Sequence, residues 1–445
     1  MNTSAEIQKF LKRLANNGRL TKLATSADNQ RAPVHRWFPF LAGFSHLLVK
    51  EVVNFFEPEE EGNLLFDPFM GSGTTGVVGK EVGINVIGNE VNPFLYKICK
   101  TKMSSWETKD STSLHSDTRK LLELASQNWR TIDVVEEHPV LKRCYPLNNL
   151  KKLVRLRKLI ETRDFSSPSE ELYFFLVLTK CLISSAKVGI NVPYISWSAK
   201  KKPKEVFSLF KDTSQIVCED LATMPKSTKD TIARVFPYDS RIRHSKIKSG
   251  SASIVFTSPP YLNNFDYGES LKVFLYFWKI ANNWNEINRK IRRVSVTSAT
   301  TYYDQTKLRS KPYEKILGRD FLAQLPSISE QIMRKSELMR IEMAKRINPR
   351  KSFDLLTLLY FKDMYYALKE LHRIVKKGAP CFLVVGDSAP YGIHVPTDTL
   401  LGEIGLELGF SSYTIQPLRR RGIKWRTLRY RHNLTLREGL LIMRR

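Results

Sequence analysis

The stretch LLFDPFMGSGTTGVVG, Leu64 to Gly79, constrains the fold more than any other part of the chain. Gly71, Gly73 and Gly76 stand at G-x-G-x-x-G spacing. Glycines so placed let a strand turn sharply into a helix and bring backbone close to a nucleotide. A pyrophosphate held at such a turn is anionic, and an acidic residue just before it would repel the ligand. Asp67 occupies that place. A carboxylate there suits a ligand that carries positive charge, such as a sulfonium or an amino group.

The same strand-then-helix rhythm recurs along the chain. Strand-like runs bounded by turns are NLLFDP, NVIGNE, ARVFPYD, ASIVFTSPP, CFLVVGD, YTIQPL and EGLLIMRR,. Helical periodicity follows Gly71 and covers about 355–375 and about 397–408,. Strands alternating with helices of this length predict an α/β fold with a doubly wound, mostly parallel sheet, and the last two strands predict an antiparallel hairpin at its edge. Two largely helical, basic stretches interrupt the rhythm, so the core is split in sequence. The expected units are 1–101 (N-terminal helix and cofactor half), 102–229 (helical insertion, candidate target-recognition region), 230–281 (catalytic part), 282–353 (basic insertion) and 354–445 (C-terminal half of the core).

Charge narrows the class of partner. Lys and Arg total 71 against 44 Asp and Glu, a formal net charge of +27 over 445 residues. Such a surplus points to a polyanion, and nucleic acid is the expected one. Its candidate contacts are Arg289, Lys290, Arg292 and Arg293 in the second insertion. The five cysteines are scattered without C-x-x-C spacing, which predicts a reducing compartment and no metal site,. No apolar run approaches roughly 18 residues, and the first twenty residues are amphipathic without a signal-peptide core, so a cytoplasmic protein, nucleoid-associated through DNA, is expected.

Two more stretches carry chemistry. The second strand ends in Glu90, close to where an acid accepts hydrogen bonds from ribose hydroxyls, and S-adenosylmethionine combines a ribose with a sulfonium and an amino group. Asp239, ending another strand, suits an adenine amino group or caps its own turn. SIVFTSPPY, Ser253 to Tyr261, runs a strand into Ser258, Pro259, Pro260 and Tyr261 at the sheet's carboxyl edge, where ligands bind in doubly wound folds,. The prolines remove two N–H donors, and the corner can present its carbonyls as acceptors. Accepting both N–H bonds of an aromatic amine draws it toward tetrahedral geometry and frees its lone pair, while Tyr261 can stack on a flipped base.

DPFMGSGTT together with TSPPY resembles the amino-group DNA methyltransferases, which modify N4 of cytosine or N6 of adenine. The resemblance extends to APVHRWFPFLAGFS before the glycine turn, to KELHRIVKKGAPCFLVVGDS, and to RHNLTLREGLLIMRR at the end. It implies a class I, Rossmann-like methyltransferase core and S-adenosylmethionine as cofactor, bound by Asp67, Phe69, Gly71, Gly73 and Glu90, with Pro68, Thr74, Asn92 and Asp239 completing the candidate set. It implies catalysis at Ser258–Tyr261, direct in-line transfer without metal or covalent intermediate, double-stranded DNA as partner, and a restriction–modification setting with a cognate endonuclease. Cofactor motif first, then a long insertion, then the catalytic motif resembles the α-type order. Ser at the motif's head, where the adenine enzymes usually have Asp or Asn, favours N4 of cytosine. The alternatives are N6-adenine methylation, an RNA amino-methyltransferase, and an inactive DNA-binding module on the same fold. Pro380-Cys381 imitates the nucleophile pair of cytosine C5 enzymes, but Cys381 opens an apolar run and is expected as a buried strand residue. His432 and Asn433 are left without a role.

Overall fold

The computed structural model describes residues 3–15, 23–56, 62–104, 108–165, 167–197, 201–224, 231–346, 351–421 and 434–445. Its centre is a seven-stranded sheet of β1 (Leu64–Asp67), β2 (Asn85–Asn89), β3 (Ala233–Phe236), β4 (Ile254–Thr257), β5 (Pro380–Gly386), β6 (Ser412–Arg421) and β7 (Leu436–Arg444), in the order β3-β2-β1-β4-β5-β7-β6. The first five strands are parallel to their neighbours, while β7 runs antiparallel between β5 and β6. This is the class I methyltransferase arrangement. All seven strand-like runs of the sequence are strands in the structure.

Alternation along the strands sorts two apolar layers, because successive side chains point to opposite faces. Leu65, Ile254, Phe256, Phe382, Val384, Leu440 and Ile442 pack with α1 (Thr3–Ala15), α2 (His46–Phe56) and α3 (Thr74–Val82). Phe66, Val255, Cys381, Leu383, Val385, Leu441 and Met443 pack on the other face, with helices later in the chain. Cys381 is fully buried there, and burial pushes its thiol well above the ordinary range. The central strands are buried on both faces, as in doubly wound sheets, while the edge strands β3 and β6 remain partly exposed,.

Between β2 and β3 run α4 (Pro93–Met103), α5 (Thr108–Ser126), α6 (Pro139–Cys144), α7 (Leu147–Thr162), α8 (Pro168–Ser185) and α9 (Val206–Thr223). They enclose a third apolar cluster that also takes in Val34, Trp37 and Phe38 from ahead of the glycine turn. Between β4 and β5, short helices lead to α10 (Pro326–Ala344) and α11 (Phe353–Ile374), and α12 (Thr397–Glu407) follows β5. The insertions therefore leave and re-enter the sheet without disturbing its order. Among the described residues, no helix is long and apolar enough to cross a membrane.

Candidate functional site

The glycine turn does what its spacing predicts, for reasons visible at each residue. Gly71 and Gly73 have φ of 55° and 88°, the left-handed region where a side chain is strained,. A Cβ on Gly73 would also lie 3.0 Å from Cys99 Sγ, so the glycine lets the start of α3 approach α4 closely. Glu90 holds the turn open: its carboxylate accepts from Gly71 N at 2.7 Å and from Asn92 N at 2.8 Å. Asn92 caps α4, accepting from Phe94 N and Leu95 N.

These residues enclose a cavity of about 760 Å³ lined by Pro68, Phe69, Gly71, Thr74, Glu90, Asn92 and Asp239. Two buried side-chain atoms of lining residues, the Asn89 carbonyl oxygen and the Asn92 amide nitrogen, have no hydrogen-bond partner among the described residues. One acceptor and one donor left unpaired beside a buried carboxylate fit a polar, hydroxyl-bearing ligand. Burial pushes the Glu90 carboxyl up to about 8, against the two backbone N–H bonds that favour its charged form,.

Two of the expected cofactor residues sit differently from their simplest reading. Asp67 does not line the cavity: it is fully buried behind the turn, where Oδ1 accepts from Phe69 N at 2.9 Å and from the Thr257 hydroxyl at 2.6 Å. Its Oδ2 has no hydrogen-bond partner among the described residues, and burial raises the carboxyl to about 6. Asp67 thus locks the glycine turn to the end of β4, behind the cavity rather than in its wall. Asp239 lines the cavity and also binds its own turn, paired through both oxygens with Arg241, whose other nitrogen meets Asp363 at 2.9 Å.

A second cavity, of about 610 Å³, opens on the other side of the corner formed by Ser258, Pro259, Pro260 and Tyr261. Ser258, Tyr267 and the Ala42–Phe44 segment line both cavities, Pro260 the first and Pro259 and Tyr261 the second. The Ser258 hydroxyl donates to the Val384 carbonyl at 3.1 Å and lies 3.4 Å from the Tyr261 hydroxyl. With its proton directed at Val384, its lone pairs remain for an incoming donor. The structure brings Ser258, Pro259, Pro260 and Tyr261 together with the glycine turn, as the two motifs require.

The four basic residues of the second insertion are not equivalent, and one expectation is corrected. Arg292 is buried: Nε donates to Asp266 Oδ1 at 3.1 Å, and Nη2 lies 2.5 Å from Oδ2. It faces inward because an unpaired Asp266 would otherwise be a buried charge. Lys290 is tied to Glu286 at 2.9 Å and to the Ile280 carbonyl at 2.7 Å. Arg289 and Arg293 are exposed. His432 and Asn433 lie outside the described residues.

Sequence reasoning missed two groups. The first is the segment over the cofactor cavity, whose Phe40 stacks near Tyr267 at a centroid distance of 6.4 Å. Asp220 of α9 fixes that segment by accepting from Val34 N (3.0 Å), Arg36 Nε (3.1 Å) and Trp37 Nε1 (2.8 Å). Lys180 and Asn191 donate to the Arg36 and Pro39 carbonyls, each at 2.8 Å. The tryptophan and arginine beside prolines in APVHRWFPF were the available signal. The second group is Arg419, Arg421 and Glu438 on the hairpin, which line the second cavity. No local pattern marks them.

Comparison with known proteins bears on the same core. Residues 20–101 match a family model for DNA methylases of the N6 and N4 type. The chain is 23% identical to Type II methyltransferase M.BsoBI of Geobacillus stearothermophilus over 438 residues, covering 90% of this chain and 83% of that protein. Over most of its length it is thus similar to DNA methyltransferases, and residues 20–101 carry the family match. Type II methyltransferase M.AvaI of Nostoc sp. is 22% identical over 409 residues (88% and 82% of the two chains), and M.MvaI of Kocuria varians is 22% identical over 453 residues (93% and 88%). The matches, at 88–93% of this chain, therefore run through both insertions as well as the sheet. Among the described residues, no group of three or more His, Cys, Asp or Glu is placed to hold a metal ion.

Proposed function

We propose that the chain methylates an exocyclic amino group of a base flipped out of double-stranded DNA, with S-adenosylmethionine as methyl donor and N4 of cytosine as target. The observation that carries this reading is the meeting of two cavities at Ser258, one built on the glycine turn and one behind Pro259 and Tyr261. When bound, the cofactor supplies an electrophilic methyl carbon on a sulfonium. Glu90, Asn89 and Asn92 would hold its ribose and adenosine polar groups, and Asp67 would add negative potential from behind the cavity. Asp239 lines the same cavity, within reach of an adenine amine.

On the other side, the Ser258 hydroxyl and a carbonyl of Pro259 or Pro260 accept the two N–H bonds of the target amine. The lone pair, no longer shared fully with the ring, then points toward the first cavity. Tyr261 offers a face for the ring, which must leave the duplex to reach it. As the nitrogen–carbon bond forms, the methyl–sulfur bond would break with its electron pair left on sulfur, and the proton displaced from the amine, first shared with its acceptor at the corner, would pass to water. Ser258, a neutral acceptor where the resembling adenine enzymes have Asp or Asn, favours cytosine. The similarity to Type II methyltransferases supports a restriction–modification setting, a cognate endonuclease, and action on DNA in the cytoplasm.

Incubation of the full chain with isotopically labelled S-adenosylmethionine and genomic DNA, then digestion to nucleosides and mass analysis, tests the reading. N4-methylcytosine is expected. N6-methyladenine would overturn the target base and leave the corner's mechanism intact; label in RNA alone would overturn the substrate.

A further inference from the structure

The far wall of the second cavity carries charges that the transfer itself does not use. Glu438 of β7 is buried, and Arg419 engages both its oxygens, at 2.9 and 3.1 Å. That pairing neutralises the carboxylate. Arg421, the last residue of β6, is held more loosely: its Nη1 is 3.4 Å from the Asp387 carbonyl and its Nε 3.9 Å from Glu438. Its guanidinium carbon stands 5.0 Å from the centre of the Tyr261 ring. Gly386 makes that approach possible, because a Cβ there would collide with Arg421 and lie 2.8 Å from Tyr261 Cδ2. Arg421 and the Ser258 hydroxyl therefore both neighbour Tyr261, the first at its ring and the second at its hydroxyl.

We infer that Arg421 is a specificity-determining residue that reads the N3 and O2 edge of the flipped cytosine. The inference rests on the cytosine reading above. In cytosine the 4-amino group is followed on the same edge by two acceptors, N3 and then O2. A guanidinium presents parallel N–H donors at the spacing of such a pair. In adenine the corresponding edge offers N1 and then a C–H, so one donor would be desolvated without a partner. Held by two long contacts, the guanidinium can tip from the ring face into the plane of a base stacked on Tyr261. Arg419 cannot take this role while it closes on Glu438.

The test uses the full chain, and a duplex whose methylated site has first been located by modified-base sequencing. Single-turnover methylation is compared for cytosine and 3-deazacytosine at the target position, in wild type, Arg421→Gln and Arg421→Lys, with cofactor affinity measured by calorimetry. The analogue alters the amine's intrinsic reactivity equally in all three proteins, so the comparison between them isolates the contact. Wild type is expected to prefer cytosine by about tenfold more than Arg421→Gln does, the scale of one hydrogen bond to a charged group. Arg421→Lys, which keeps the charge and loses the fork, is expected to lose most of that preference. An unchanged preference in both variants would overturn the inference, and uniform slowing on both substrates would assign Arg421 to a phosphate instead. Should Arg421→Gln fail to bind cofactor, Arg421→Lys carries the same comparison. A product of N6-methyladenine would instead overturn the cytosine reading and this inference with it, whereas N4-methylcytosine with unchanged preference overturns the role of Arg421 alone.

Discussion

The two cavities that meet at Ser258 are built in different ways. The cofactor side is organised by backbone: Glu90 takes Gly71 N and Asn92 N, and Asp67 takes Phe69 N, all within one short stretch of sequence. The target side is organised by side chains from distant places, with the Ala42–Phe44 segment, Tyr267, Val384 and the Arg419–Glu438 pair converging on one space. Backbone turns tolerate little variation, because their conformations are fixed by residue type. Side-chain walls can be rebuilt one residue at a time, which suits the base-reading role proposed for this side.

The sharpest way to break this comparison is at the base of the target side. Asp266, paired with Arg292, caps the short helix that begins with Tyr267. Arg292→Ala is expected to destabilise the protein by about 3–5 kcal/mol, the cost of leaving a buried carboxylate alone. Replacing exposed Arg289 and Arg293 instead should leave thermal stability unchanged. It should weaken DNA binding and flatten its salt dependence. Denaturant melts and binding titrations at several salt concentrations distinguish these; equal stability of the two variants would mean that Arg292 is a surface residue after all.

Ser258→Ala is expected to slow turnover by about 100- to 1,000-fold, comparable to losing one preorganised polar contact at a developing charge, with cofactor affinity retained. A parallel loss of cofactor binding would show that the two cavities are not separable at this corner. Glu90→Ala should do the converse, weakening cofactor binding by about 1–3 kcal/mol in calorimetry through loss of a buried charged partner.

The smallest effect concerns protons. Glu90 titrates at about 8 in the cofactor-free fold, far above its ordinary range, and Asp67 at about 6. The folded state therefore binds protons that the unfolded chain has already released. The stability these groups contribute is complete below the ordinary carboxylate range, and is lost as pH rises through about 6 for Asp67 and about 8 for Glu90. Between about pH 5 and 8.5, the melting temperature of the cofactor-free protein is expected to fall by about 1–3 °C more than that of Glu90→Gln. Identical slopes would show that Glu90 is not protonated in the empty site. Cofactor affinity should move oppositely, rising toward pH 8 as the ionised carboxylate becomes able to accept ribose hydroxyls.

The difference between the cavities also explains what the sequence could reveal. The strands, the glycine turn and the Ser-Pro-Pro-Tyr corner were legible because each is set by local periodicity or by residues with restricted φ. Arg292 was misread because a basic run looks the same whether one member turns inward, and only the position of Asp266 decides which one does. Asp220 was invisible since its partners Val34, Arg36 and Trp37 are nearly two hundred positions away. Arg421 and Glu438 were unmarked because they meet only through the pairing of β6 with β7, which no local pattern announces.

The strand order described above also sets the sequence of events during synthesis. β1 emerges early, yet its neighbour β4 follows much later, and the bond between Asp67 and Thr257 closes a span of 190 positions. The helices between β2 and β3 bring together apolar residues such as Leu153, Phe174, Val177 and Phe210, which can begin to condense while β1 still waits with an open edge, although Phe274 and Phe277 beyond β4 complete their cluster,. Assembly of the sheet is then a late, slow event, and it completes both cavities together. A refolding chain should show helical signal first and recover cofactor binding only afterwards; simultaneous recovery in stopped-flow experiments would contradict this order.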